Sequence, residues 1–193
     1  MNIIQFQADK TEHSMKIFAY QKDSIFATYK QFCIKSNRMR ILMVCLGNIC
    51  RSPMADGWLR YYSDKNQLGI EVDSAGTANY HIGKQPDERM RKWSKTYGVS
   101  IDQLNARQFN VSDFDKFDRI FVMDQHNFKD VIRLARDEND RSKVSLYLDE
   151  LYPGENREVP DPYYGTDHDF KHVIELLDQT TQVFLKNAGF KLH

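Results

Sequence analysis

Cysteine is scarce in this chain, with three residues among 193. So few thiols exclude a disulfide framework and favour a reducing compartment, and we therefore expect the protein in the cytoplasm. Apolar runs are short: none approaches the ~20 residues that cross a bilayer, which predicts no membrane segment. Charge of one sign is lacking too. The 27 basic side chains balance 27 acidic ones, which argues against nucleic acid as the main partner.

The sequence also lacks internal repeats, low-complexity segments, and cysteine and histidine clusters with the spacing of metal ligands. We therefore predict neither a metal nor any other cofactor. Hydrophobic residues make up 41% and charged residues 28% of the chain, as is typical of globular proteins. The length suits one domain with a full core.

Strand-like and helix-like segments alternate along the chain, which predicts an α/β fold. We expect a four-stranded parallel sheet flanked by helices on both faces, with a phosphate-binding loop after the first strand. The predicted strands are residues 41–44, 69–76, 118–123 and 143–148. The predicted helices are residues 52–61, 86–97, 125–135 and 170–186.

The segment Val44–Pro53, with the sequence VCLGNICRSP, carries the strongest functional signal. The apolar run before it predicts a buried strand, and Ser52 as cap with Pro53 in the first turn predicts a helix after it. A loop at such a junction offers unpaired backbone N–H groups at the positive end of a helix dipole. This arrangement predicts an anion site.

Two side chains of this loop suggest a reaction on a phosphate ester. Cys45 lies at the end of the strand, where the field that binds an anion also favours a thiolate. Arg51 has a planar fork of donors that matches two phosphate oxygens. Gly47 and Asn48 tolerate the positive φ that a tight loop requires. We therefore predict that the Cys45 sulfur attacks phosphorus and that Arg51 clamps the phosphate.

The loop resembles the active-site loop of the low-molecular-weight protein tyrosine phosphatases, and the likeness continues through most of the remaining chain. Further segments resemble the family in its order and approximate spacing: Asp73–Thr77, Tyr80–Gly83, Ala106–Gln108, Met123–Asp124 with Asn127, and Asp161–Gly165. The resemblance implies a hydrolase that acts on a tyrosine-phosphorylated protein through a cysteinyl-phosphate. It needs no metal.

The resemblance also assigns roles to single residues. Asp161, held between Pro160 and Pro162, is the expected general acid and base. Asn48 is expected in a left-handed conformation that braces the loop, and the Ser52 hydroxyl is expected to donate to the Cys45 sulfur. The segment 46–50 contributes the remaining loop positions expected to bind the substrate phosphate: Leu46, Gly47, Ile49 and Cys50.

Aromatic side chains are expected to form the walls of the cleft. The resemblance places Tyr80 and Tyr163 there, with Tyr164 nearby, and a deep cleft of this kind favours phosphotyrosine. Asp124 is expected to support the acid loop through hydrogen bonds. Many family members have a histidine where this chain has Leu104, which puts one support of the phosphate loop in doubt. Cys50 is a candidate partner for an oxidised Cys45.

Three alternative functions share parts of this pattern. Arsenate reductases of the same fold pass a disulfide to cysteines further along the chain, but no cysteine follows Cys50. Protein-arginine phosphatases typically have a threonine where this chain has Ile49, whose branched side chain would crowd a guanidinium. A non-catalytic phosphate-binding module could keep Arg51 and dispense with Asp161, which is present.

The first 38 residues precede the point where the family's chains normally begin. They contain no apolar segment of the secretory type, and their acidic residues argue against a mitochondrial transit peptide. The stretch 17–34, which includes Cys33, could form a marginal helix or strand. We expect residues 1–38 to be an N-terminal extension of unknown role, and residues 39–193 to be the phosphatase domain.

Overall fold

A parallel sheet of four strands lies at the centre of residues 38–193, the part of the chain described by this computed structural model. The predictions for residues 1–37 lie outside the described residues. The strands are β1 (Arg40–Cys45), β2 (Glu71–Gly76), β3 (Arg119–Val122) and β4 (Val144–Leu146). Their order is β2-β1-β3-β4, and every pair is parallel. The predicted α/β class and the four-stranded parallel sheet are confirmed.

Helices connect the strands. They are α1 (Arg51–Lys65), α2 (Glu88–Thr96), α3 (Asp113–Lys116), α4 (Gln125–Arg133), α5 (Glu138–Ser142) and α6 (Asp167–Asn187), and a 3-10 turn follows β4 (Tyr147–Glu150). The four long helices were predicted to within a few residues. The short α3, α5 and 3-10 turn were not, because four or five residues are too few to show a period.

The two faces of β1 pack into two separate cores, which explains why its sequence is apolar without alternation. Ile41 and Met43 point to a core shared with α1 and α6. Leu42 and Val44 point to a second core, which Val131 of α4 completes. Helices therefore cover both faces of the sheet, as predicted.

The start of α1 differs from the prediction. The helix begins at Arg51, one residue before the predicted cap, and Ser52 and Pro53 are its second and third residues. The Ser52 hydroxyl is turned towards the Cys45 sulfur and caps nothing. The local pattern of a serine before a proline was a correct signal for a helix. A tertiary contact, however, takes the hydroxyl away from the capping role.

The sheet register places the loop after β1 where a ligand can reach it. Cys45 pairs with Gly76 at the carboxyl ends of β1 and β2, and β3 continues the sheet on the other side of β1. The connections from β1 to β2 and from β2 to β3 thus lead to opposite sides of the first strand. In open parallel sheets such a reversal leaves a crevice beyond the strand ends, where ligands bind.

Candidate active site

The phosphate-binding loop, residues 46–50, is fixed from outside through its carbonyl groups. Thr77 N donates to Cys45 O at 2.9 Å, and Ala78 N donates to Leu46 O at 2.9 Å. The amides at the start of α1 have no acceptor within the helix. The carbonyl groups on this side are bonded to the segment after β2, whereas the amides at the start of α1 are free to donate. The loop therefore presents hydrogen-bond donors to an anion.

Asn48 braces this loop as expected. Its φ is +54°, in the left-handed region, and its side chain is buried. Its Oδ1 accepts from Arg107 N at 2.9 Å, and its Nδ2 donates to Ser52 Oγ at 2.9 Å. The backbone of Arg107 thus holds the loop, so bracing does not depend on the position occupied by Leu104.

The Cys45 sulfur, which is buried, lies within reach of two donors. Asn48 N donates to Sγ at 3.2 Å, and Ser52 Oγ lies 3.1 Å from it. The Ser52 hydroxyl is also 3.3 Å from Ala75 O. Its one proton can serve only one acceptor, and negative charge on sulfur would make Cys45 the stronger of the two. The site can therefore stabilise a thiolate.

Arg51 lies buried between two carboxylates. Its Nη1 donates to Asp124 Oδ2 at 2.7 Å and to Val159 O at 3.3 Å, and its Nη2 donates to Asp161 Oδ2 at 2.8 Å. Burial alone would lower the pKa of Arg51, but the negative charges at Cys45, Asp161 and Asp124 outweigh it and raise the pKa. The guanidinium is thus a fixed positive charge at the base of the cleft.

Asp124 is connected to the acid loop through Arg51. It was predicted to support the acid loop through hydrogen bonds. Its Oδ2 binds Arg51, which in turn bonds to Val159 O and Asp161, and its Oδ1 accepts from Asn127 N at 2.7 Å, which caps α4. The carboxylate therefore orients the guanidinium. In the sequence, Asp124 is an aspartate between a predicted strand and a predicted helix. This position indicates a helix cap, but it does not indicate that the side chain binds a distant arginine.

The acid loop, residues 159–165, is docked on the end of β3. Val159 N donates to Met123 O at 2.8 Å, and this bond fixes the start of the loop, two residues before Asp161. Asp161 Oδ1 accepts from Tyr163 N at 3.1 Å, while its Oδ2 faces Arg51. The Asp161 side chain is 43% exposed. This carboxyl group can therefore exchange protons with solvent and with a ligand bound at Arg51.

Most of the predicted substrate-contacting residues line one cleft of about 200 Å³. The lining comprises Cys45, Leu46, Gly47, Ile49, Cys50, Arg51, Tyr80, His81, Asp161, Tyr163 and Tyr164. Asn48 and Ser52 are not in the lining and support the loop from behind. His81 was not assigned a role from sequence. A Cβ on Gly47 would lie 3.0 Å from its Cδ2, so the loop after β2 packs directly on the phosphate loop.

Cys50 is a free, buried thiol in the same loop. Burial raises its pKa, and the nearby charges of Asp87 and Cys45 add to the effect. Thiol exchange requires the thiolate, so this environment slows any reaction of Cys50 with an oxidised Cys45. Its role as a partner for an oxidised nucleophile stays a prediction.

The comparisons with known proteins agree with this geometry. A family model described as low molecular weight phosphotyrosine protein phosphatase matches residues 40–191. A putative low molecular weight protein-tyrosine-phosphatase of Synechocystis is 41% identical over 156 residues, which cover 80% of this chain and 99% of the relative. The chain belongs to the low molecular weight phosphotyrosine protein phosphatase family, as the sequence motifs predicted.

Solved structures show the same fold. The crystal structure of a protein tyrosine phosphatase from Entamoeba histolytica has a TM-score of 0.73 and 37% identity, covering 78% of this chain and 97% of that one. A Drosophila arginine phosphatase has a TM-score of 0.72 and 28% identity, covering 78% and 98%. No helix within residues 38–193 combines the length and apolar character needed to cross a membrane.

Proposed function

We propose that the chain hydrolyses phosphotyrosine in proteins through a cysteinyl-phosphate intermediate. One observation carries the proposal: Arg51 lines the same cleft as Cys45 and Asp161 and bonds directly to the Asp161 carboxyl group. Its Nη2 lies 2.8 Å from Asp161 Oδ2. A phosphate bound by this guanidinium is therefore adjacent to a proton donor on one side and to the sulfur on the other.

In the first step, an electron pair of the Cys45 thiolate forms a bond to phosphorus, and the bond from phosphorus to the phenolic oxygen breaks. Asp161 gives its proton to the departing oxygen. The loop amides and Arg51 bind the equatorial oxygens, whose charge must be balanced in the transition state. Asp124 keeps the guanidinium in the plane that these oxygens require.

In the second step, a water molecule attacks the cysteinyl-phosphate. Asp161, now a carboxylate, takes a proton from this water, and the bond between phosphorus and sulfur breaks. Cys45 leaves as a thiolate, to which Asn48 N and the Ser52 hydroxyl supply hydrogen bonds. The same donors therefore favour sulfur as nucleophile in one step and as leaving group in the other.

The walls of the cleft favour an aromatic ester. Tyr80 and Tyr163 line it above the phosphate loop, and a phenyl ring can lie against such walls. The likeness to an arginine phosphatase supports phosphoarginine as the second candidate substrate. Ile49, an apolar branched residue in the lining, favours tyrosine over a charged guanidinium. The arsenate reductase reaction needs a downstream cysteine, and none follows Cys50.

We further propose that residues 39–193 form the complete catalytic domain and that it acts in the cytoplasm. Every residue assigned above to binding or chemistry lies within this range. A nucleophile that must stay a thiol is best preserved in a reducing compartment. The partner is then a tyrosine-phosphorylated protein.

Two substitutions test the division of labour. Cys45→Ser should abolish turnover, because an alcohol here is a far poorer nucleophile than a thiolate, while inorganic phosphate should still bind through Arg51 and the amides. Asp161→Ala should lower kcat/KM by about 10²- to 10⁴-fold for a phosphotyrosine peptide. The loss should be smaller for 4-nitrophenyl phosphate, whose leaving group needs less protonation.

The quantity to compare is kcat/KM, since it covers the steps up to departure of the phenol. Both substrates yield the same cysteinyl-phosphate, so kcat alone would hide the difference if its hydrolysis limits turnover. Equal losses of kcat/KM on the two substrates would show that Asp161 is not the proton donor. Preference of the wild type for phosphoarginine peptides would overturn the substrate assignment.

A further inference from the structure

Arg89, near the start of α2, connects the two loops that carry the chemistry. Its Nη2 donates to the carbonyl oxygen of Tyr163 at 3.0 Å, in the acid loop. Its guanidinium also lies 5.6 Å from the centre of the Tyr163 ring and 4.6 Å from that of Phe170 in α6. None of the motifs read from the sequence gave this arginine a role.

The other side of Arg89 leads to the phosphate loop. Its Nε and Nη2 donate to the two carboxylate oxygens of Asp87 at 3.1 and 2.9 Å. The backbone N–H of Asp87 in turn donates to Ile49 O at 2.8 Å. A continuous series of hydrogen bonds therefore runs from the phosphate loop through Asp87 and Arg89 to the acid loop.

We propose that Arg89 is a positioning residue that holds Asp161 at its distance from the phosphate. The inference rests on the proposed function, because it concerns the acid of that reaction. Arg89 does not line the cleft and has no part in binding phosphate. It acts through the backbone of Tyr163, two residues from the carboxyl group that must deliver the proton.

Besides the bonds of Arg51 to Val159 O and to Asp161 Oδ2, the acid loop has few other attachments close to Asp161. Val159 N donates to Met123 O, directly after β3, and Gly165 N donates to Pro162 O within the loop. Between them, the Tyr163 N–H fixes the Asp161 carboxylate, and the Tyr163 carbonyl is held by Arg89. Loss of this last bond would free the peptide that orients Asp161. An error of about 1 Å in such a group can cost ~10²-fold in rate.

The contacts require an arginine and not merely a positive charge. A guanidinium can bond in its plane to Asp87 and to the Tyr163 carbonyl while its face lies on Phe170. The ammonium group of a lysine could reach one acceptor but could not form the two-point contact with Asp87 or the stacked contact. Arg89→Lys should therefore recover only part of the function.

The experiment compares kcat/KM for a phosphotyrosine peptide and for 4-nitrophenyl phosphate in the full chain. Arg89→Ala should lower the value about 10- to 100-fold for the peptide and much less for the activated ester. Arg89→Lys should lie between Arg89→Ala and wild type. The affinity for inorganic phosphate should stay within about twofold, because the phosphate loop keeps its own bonds.

Arg91→Ala is the matched control. Arg91 lies on the same helix, but its Nη1 donates to Gln85 Oε1 at 3.1 Å and lies 3.6 Å from Asp102 Oδ1, and neither partner belongs to the acid loop. Its removal should leave the ratio of the two kcat/KM values unchanged. A fall in that ratio equal to the one in Arg89→Ala would mean that general damage to α2 is the cause, and the proposal would fail.

A double substitution distinguishes this proposal from the proposed function. If Arg89 acts through Asp161, adding Arg89→Ala to Asp161→Ala should lower peptide turnover by less than about threefold. Additive losses would overturn the positioning role and leave the acid role intact. If Asp161→Ala alone shows no dependence on the leaving group, the acid assignment itself fails, whatever Arg89 does.

Discussion

Asn48 holds the phosphate loop by two separate means, its positive φ and its side-chain amide. Asn48→Gly keeps access to φ of +54° but loses the bonds to Arg107 N and Ser52 Oγ. Asn48→Ala loses the two hydrogen bonds and also the easy access to this φ. Losing the buried bonds should destabilise each variant by ~1–3 kcal/mol, and the strained φ should cost the alanine variant about 1–2 kcal/mol more. Thermal and denaturant unfolding of the three proteins would measure this order.

Removal of the amide should also lower kcat/KM in both variants, since the Ser52 hydroxyl loses a partner that fixes it beside Cys45. An alanine variant at least as stable as the glycine variant would contradict the importance of the backbone conformation. Full activity in both would contradict the bracing role.

Ile49 is the residue at which the substrate preference can be tested. Its side chain lines the cleft, and its carbonyl is bound by Asp87 N, so the side chain can change without loss of that bond. Ile49→Thr should raise the ratio of kcat/KM for phosphoarginine over phosphotyrosine peptides, because it opens space and adds a hydroxyl acceptor. Ile49→Val is the matched control for space alone. An unchanged ratio in Ile49→Thr would remove Ile49 as a determinant.

At the scale of the element, α1 shows a conflict between helix propensity and packing. Gly57 lies inside this helix, where alanine would normally be favoured by about 1 kcal/mol. A Cβ there would lie 2.6 Å from Ile101 Cγ2 and 3.0 Å from Val99 Cγ1. Overpacking of this kind costs ~1–3 kcal/mol, so Gly57→Ala should lower the free energy of unfolding.

The clash can be separated from other effects by a second substitution. In an Ile101→Ala background the closer of the two contacts is removed and only the one with Val99 Cγ1 at 3.0 Å remains, so the cost of Gly57→Ala should fall. If the cost is the same in both backgrounds, contact with Ile101 is not its origin. Thermal unfolding of the four proteins completes this comparison.

The elements that the sequence predicted are those with long patterns. The apolar run of β1 and the period of α6 are visible in single segments, and the loop between β1 and α1 has its own glycine and asparagine, with a proline in the first turn of α1. The start of α1 was predicted one residue late, because the cap pattern does not show that Ser52 bonds to Cys45. Local sequence carries propensity, while this bond depends on the folded position of the sulfur.

In the candidate site too, the sequence predicted the residues of local motifs but not the contacts that form only in the folded chain. Cys45 and Arg51 belong to one short segment, and Asp161 was found through the family resemblance. The bonds from Asp124 to Arg51 and from Arg89 to Tyr163 join residues 73 and 74 positions apart. No spacing in the sequence encodes such pairs, because they form only when the sheet brings the strand ends together.

For the whole molecule, Asp56 makes stability depend on pH. This residue of α1 is fully buried, and burial raises the pKa of its carboxyl group to about 6, although Arg60 opposes the shift. A raised pKa in the folded state contributes stability below the unfolded value of 3.8 and loses it as pH rises through about 6. The free energy of unfolding should therefore fall across this window.

Asp56→Asn removes the titration. Between pH 4 and pH 8 the wild type should lose up to ~3 kcal/mol relative to this variant. Denaturant unfolding at a series of pH values measures the difference. Asp64→Asn, at an exposed position on the same helix, is the control and should show little change with pH. A constant difference between wild type and Asp56→Asn would contradict the raised pKa.

A chain that begins at Met39 should fold and retain the full activity. All strands and helices described above lie between residues 40 and 187, and the family model matches residues 40–191. We expect the midpoint of thermal unfolding and kcat/KM to agree with those of the full chain. A markedly lower midpoint would show that residues 1–38 stabilise the domain, and a change in kcat/KM alone would assign them a part in substrate binding.

The division of the cleft between segments bears on selective inhibition. Cys45 and Arg51 lie at the two ends of one loop, whereas Tyr80 and His81 follow β2, and Tyr163 belongs to the acid loop. A compound that mimics only the oxyanion would meet a cradle built from backbone amides, which offer little to distinguish one enzyme with this loop from another. Discrimination must then come from groups that extend beyond the phosphate to the aromatic walls. Those walls can differ between related enzymes while the chemistry beneath them stays the same.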